Sequence, residues 1–116
     1  MRTRKDLLLD LLACRGSVIK NQKKLSVFGY DTEEPVVIAK SHDIESVLSK
    51  CIDGFLSVSD IEEWANAIEF RDDIDFENEQ LKEFVFELAN PEINGAINVE
   101  RLLEIVENLQ KVGVIK

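Results

Sequence analysis

The chain is poor in cysteine, proline, histidine and positive charge. It has two cysteines, two prolines, five glycines and a single histidine in 116 residues. Two cysteines cannot staple a disulfide framework. Cys14 and Cys51 each fall on or beside an apolar helical stripe and read as small buried hydrophobes, which fits a reducing cytoplasm. His42 with two distant cysteines makes no zinc set. It lies in the first turn of a predicted helix, facing solvent, and no nucleophile pattern surrounds it. No run approaches the ~18 apolar residues that cross a bilayer. Leu11-Leu12-Ala13-Cys14 after a basic start looks like a lipoprotein cleavage box, but Asp6 and Asp10 interrupt the apolar stretch it would need. So few prolines and glycines leave little room for long linkers, and residues 1–116 read as one domain with one core.

What the chain has is acid. Twenty-three carboxylates face 14 lysines and arginines, for a net charge of −9. The charge is uneven. Residues 1–24 hold seven bases against two acids, net +5, and residues 25–116 hold seven bases against 21 acids, net −14. The densest stretch runs from Asp60 to Glu79, where nine acids face only Arg71, a net of −8. Such a field attracts basic partners and repels nucleic acid.

Apolar residues at helical spacing predict an all-α fold, an irregular bundle of five or six short helices. The first spans 3–15, with Thr3 as cap, Asp6 three residues on, Leu7, Leu8, Leu11 and Leu12 inward, and Gly16 closing it. A weaker second helix runs from the Ser17 cap to Leu25. Residues 26–40 read as connection, punctuated by Gly29, Asp31 and Pro35. Within it Val36-Val37-Ile38 is extended and without a predicted strand partner. The third helix runs over 42–53 between the Ser41 cap and Gly54. The fourth runs over 58–70, opened by Ser57 with Asp60 as a capping box and burying Ile61, Trp64, Ala65 and Ile68. Asn78 caps the fifth, 79–90, which Asn90-Pro91 stops. Asn98 caps the sixth, 99–111, with Leu102, Leu103, Val106 and Leu109 inward and Gly113 following.

Three sharper readings of the acidic stretch fail on residue type. A calcium loop starting at Asp73 would need glycine at its sixth position and glutamate at its twelfth; those positions hold Asn78 and Phe84. A DNA-reading helix-turn-helix needs basic side chains on its recognition helix, whereas the later helices are acidic. Paired carboxylates serve acid–base catalysis, but here the pairs are so many that none stands out. No catalytic residue, metal or cofactor is therefore expected.

The remaining reading is protein binding. Helix-end capping accounts for Asp60 and Glu62 and extends to Glu79, but not to Asp72, Asp73, Asp75 and Glu77 together. With Glu69 and Glu63 they form the candidate partner-facing surface. The competing reading is that Arg71, pairing with Asp72 or Asp75, and basic residues from 1–24 neutralise the cluster inside the monomer.

Three strings sharpen this: Gly54-x-Leu56-Ser57-x-x-Asp60-Ile61-Glu62-x-Trp64-Ala65-Asn66, then Glu69-x-Arg71-Asp72-Asp73-Ile74, then Phe86-Glu87-Leu88-Ala89-Asn90-Pro91. Together they resemble a family of small acidic bacterial proteins associated with toxin–immunity pairs, including those of contact-dependent growth inhibition. The resemblance spans roughly residues 3–109. It implies a cytoplasmic, non-enzymatic protein that binds a cognate toxin domain, often a nuclease, and covers its active site. It implies no direct contact with nucleic acid or membrane. A regulatory or adaptor protein with a non-toxin partner is the alternative, and a carboxylate-using enzyme a more distant one.

Overall fold

The computed structural model describes residues 3–28, 35–69 and 71–114, and only the backbone of residues 94 and 111–114. Gly29 and Asp31 in the connection, and Phe70 at the expected end of the fourth helix, lie outside the described residues. Among those residues the order is α1 (Arg4–Leu12), α2 (Val18–Leu25), a 3-10 turn (Ser26–Phe28), β1 (Val37–Ala39), α3 (Ser41–Ile52), α4 (Val58–Glu69), β2 (Ile74–Phe76), α5 (Glu79–Ala89), α6 (Pro91–Asn94) and α7 (Val99–Val114). The fold is all-α with one small strand pair.

Local chemistry sets most helix starts. Thr3 Oγ1 accepts from the Asp6 amide at 3.1 Å while Asp6 Oδ2 accepts from the Thr3 amide at 3.3 Å. Ser57 and Asp60 repeat this reciprocal box at the head of α4, at 3.0 and 2.8 Å. Each box satisfies two amides that a helix start leaves without partners. Asn78 and Asn98 cap α5 and α7, accepting from the amides of Leu81 and Arg101 at 2.9 and 2.8 Å.

Several boundaries differ from the sequence reading. α1 ends at Leu12, three residues early, because Cys14 takes a left-handed conformation at φ 54°. The Arg15 amide then folds back onto the Asp10 carbonyl at 2.9 Å, the wrap that closes a helix end. α3 takes Lys40 rather than Ser41 as its cap residue, with Asp43 Oδ2 accepting from the Lys40 amide at 2.9 Å. Pro91 does not simply stop α5: it occupies the first turn of α6, where its missing N–H costs no hydrogen bond. In α7 the buried residues are Leu102, Ile105 and Leu109, while Leu103 is exposed. The 3.6-residue period puts Ile105, not Leu103, on the inward stripe, and the helix continues through Gly113 to Val114.

The strand pair is the larger correction. β1 and β2 run parallel, with Val37 beside Ile74, Ile38 beside Asp75 and Ala39 beside Phe76. α3 and α4 form the crossover that parallel strands require. Val37, Ala39 and Ile74 turn into the core, and Ile38 and Asp75 turn out.

One hydrophobic cluster joins these elements, with Trp64, Leu8, Leu11, Ile44, Leu48, Ile61, Ile68, Leu81, Leu88, Leu102 and Ile105 almost wholly enclosed. α4 packs on α5, α3 on α7, and α1 on α2. Trp64 sits at the centre, fully buried. Its indole N–H donates to the Leu12 carbonyl at 2.9 Å. The early end of α1 frees that carbonyl from helical pairing, so one contact satisfies two buried polar groups.

Candidate functional site

The acidic stretch divides into carboxylates that hold the fold together and carboxylates that face solvent alone. Asp73 belongs to the first kind. It is 0% exposed. Arg71 Nε donates to its Oδ1 at 2.8 Å and Arg71 Nη2 to its Oδ2 at 3.0 Å, a bidentate grip. Arg4, from the first turn of α1, donates through Nε to the same Oδ2 at 3.0 Å. The Asp73 carbonyl meanwhile accepts from the amides of Val36 and Val37 at 2.9 and 3.0 Å, opening the strand pair. One residue thus joins α1, the α4–β2 turn and β1. Asp73 is therefore not part of a partner-facing surface. Arg71 pairs with Asp73, not with Asp72 or Asp75, because the turn directs residue 73 inward and leaves Asp72 and Asp75 exposed.

Glu77 is also engaged. Its Oε1 accepts from the backbone amide and the hydroxyl of Ser41 at 2.8 and 2.9 Å, tying the end of β2 to the start of α3. Those hydrogen bonds, the backbone one foremost, hold its carboxyl below the usual glutamate range. A carboxylate at a helix start is also favoured by the helix dipole.

Glu69 is half-buried at the end of α4, and its Oε2 is enclosed without a hydrogen-bond partner. Burial pushes its carboxyl upward, partly countered by a hydrogen bond with Asn90.

Glu63, Asp72 and Asp75 remain exposed. None forms an ion pair among the described residues. Asp75 accepts only from the amide of Phe76, at 2.8 Å. The six residues singled out from sequence therefore do not act as one surface.

Sequence reading missed a further acidic face, on α5. On α5, Glu79 and Glu83 are exposed, form no ion pair among the described residues, and lie one turn apart. Beside them Phe86 is 46% exposed, and with Lys82 and Glu87 they line a shallow groove of about 400 Å³. The available signal was the alternation in α5 itself: Leu81, Phe84, Val85 and Leu88 complete its buried stripe, which leaves Phe86 outside.

The nucleophile candidates are quiet. Cys14 and Cys51 are buried and unbridged. Burial, followed by the nearby Asp60 charge, pushes both thiols upward, away from the reactive thiolate. The His42 side chain is 77% exposed, with Nε2 3.3 Å from Asp43 Oδ1. Among the described residues no three histidine, cysteine or acidic side chains are placed to hold a metal, and no helix is long and apolar enough to cross a membrane.

Compared with models of protein families, with curated proteins and with solved structures, the chain finds no match.

Proposed function

We propose that this chain is a non-enzymatic, cytoplasmic protein-binding domain that captures a basic protein partner, and that the partner is a toxin domain which it blocks as an immunity protein. The observation that carries the binding reading is the set of exposed carboxylates that form no ion pair among the described residues: Glu79 and Glu83 beside the exposed ring of Phe86 on α5, and Asp72 and Asp75 in the turn and strand before it. Aromatic anchors ringed by charge suit an interface, where the ring supplies affinity and the charges supply steering. The immunity reading rests on the motif resemblance alone. A nuclease toxin suits the same chemistry, since a cleft that grips phosphates is basic.

The test is co-expression of the chain with the basic protein that co-purifies with it from its own cells. Protection of those cells from growth arrest by that protein supports immunity. Stable binding without any toxicity to neutralise would favour the adaptor alternative. If no basic protein co-purifies, the binding reading fails.

A further inference from the structure

The cationic first fifth of the chain does not simply fold onto the acidic body. Arg4 reaches Asp73 and Arg15 reaches Asp10 at 3.4 Å. Lys20, Lys23 and Lys24 of α2 do neither: all three are exposed, and none forms an ion pair among the described residues. The inner face of α2 is occupied by Val18, Asn21 and Leu25, which are buried. Its outer face carries two rows at four-residue spacing that run on into the 3-10 turn: Ile19, Lys23 and Val27, and alongside them Lys20, Lys24 and Phe28. Ile19 is 63% exposed and Val27 81%. Apart from the Phe28 ring, whose centroid lies 6.0 Å from the Arg4 guanidinium, this helix face, cationic with apolar ends, shows no ion pair or ring contact among the described residues.

A face of this chemistry fits carboxylates one helical turn apart beside an exposed apolar group. The same chain presents such a face on α5, in Glu79, Glu83 and Phe86. The turn between Glu79 and Glu83 matches the turn between Lys20 and Lys24, both close to the 5.4 Å helical pitch. We propose that the chain associates with itself, the lysine face of α2 in one copy docking on the acidic face of α5 in a second copy. The two faces differ, so the contact is heterologous and propagates head to tail unless it closes into a ring.

Net charge opposes this contact, because each copy carries −9. Screening limits that opposition: at physiological salt the Debye length is about 8 Å, so charges in contact outweigh those across the molecule. The same body weighs more heavily against phosphate polymers and anionic lipid surfaces, which present dense negative charge over a wide area. This inference stands apart from the identity of any heterologous partner, although a basic partner on α5 would compete with it.

Sedimentation velocity on the full chain tests it at a low of about 0.15 M and a high of about 1 M salt, where the Debye length falls from about 8 Å to about 3 Å. The expected result is a mass that rises with protein concentration above 13.2 kDa at low salt and returns to it at high salt. The Lys20→Glu/Lys23→Glu/Lys24→Glu variant and the Glu79→Lys/Glu83→Lys variant should each associate at least about tenfold more weakly. An equimolar mixture of the two should associate again, since each retains the face the other has lost. All five positions are exposed, and unchanged far-UV circular dichroism verifies that both variants fold. A wild-type chain that stays monomeric at every concentration overturns the proposal. So does association that survives either variant, or a mixture that fails to recover it. Lysine-dependent sedimentation with phosphatidylserine vesicles by a chain that remains monomeric also overturns it, and assigns the face to a membrane surface.

Discussion

Arg71 grips both carboxylate oxygens of Asp73, two residues further along, and the pair is almost wholly sealed from solvent, at 2% and 0% side-chain exposure. The densest acid in the sequence thus has a buried arginine pair at its centre, with Arg4 completing the satisfaction of Asp73. Desolvating such charges is costly, and the arrangement is tolerable only when hydrogen bonding is complete. The exposed acids Asp72 and Asp75 on either side of it form no ion pair among the described residues.

Trp64 holds the centre of the core and the Leu12 carbonyl together. Trp64→Ala should lower unfolding stability by about 3–5 kcal/mol, as large-to-small changes in a packed core do. Trp64→Phe keeps most of the volume but leaves the Leu12 carbonyl unpaired, so it should retain part of that loss, about 1–3 kcal/mol. Urea denaturation of the two variants checks both values.

Glu69 works against the fold when ionised. Its folded carboxyl titrates above the unfolded one, owing first to burial. Protonation therefore favours the native state: the stabilising effect is complete below the unfolded pKa and is lost as pH rises through the folded one. Glu69→Gln should raise the thermal midpoint at neutral pH, and the gain should shrink as pH falls through the raised folded pKa and be gone below about 4.3, the ordinary glutamate value. Thermal scans of wild type and variant across pH measure the difference.

Glu77 has the opposite sign. Its folded carboxyl is depressed, chiefly by the Ser41 backbone hydrogen bond. Its contribution is present above the unfolded pKa and disappears as pH falls through the folded value. Glu77→Gln should lower the thermal midpoint at neutral pH and cost progressively less under acid. The group is exposed and solvent screens it, so the expected change is small. Its pH slope, opposite to that of Glu69→Gln, is the readout.

The helices were legible in the sequence because their signals are local. Thr3 with Asp6, Ser57 with Asp60, Asn78 and Asn98 each sit within three residues of the amide they cap. The stripe of α3 from Ile44 to Cys51 and that of α4 from Ile61 to Ile68 appear as the spacing requires. What escaped was non-local. Val37 and Ile74 are 37 residues apart in sequence, and strands of three residues are too short to show a period. Arg4 and Asp73 are 69 residues apart, so nothing near either one announced their contact. The candidate surface was only half legible for the same reason. Charge density located the acids, but which of them turn inward depends on a turn and a strand pair that composition does not reveal. The unexposed Asp73 and the exposed Asp72 are adjacent and chemically identical.

The division of that acidic stretch is tested most directly by comparing Asp73→Asn with the double variant Asp72→Asn/Asp75→Asn in thermal and urea unfolding at neutral pH. Removing one member of a buried ion pair strands the other, so Asp73→Asn should lose about 3–5 kcal/mol, a drop of about 10 °C or more in a domain of this size. The double variant removes exposed, unpaired charges and should stay within about 1 kcal/mol of wild type. If Asp73→Asn unfolds like wild type, or if the double variant loses as much as Asp73→Asn, the division between structural and free carboxylates is wrong.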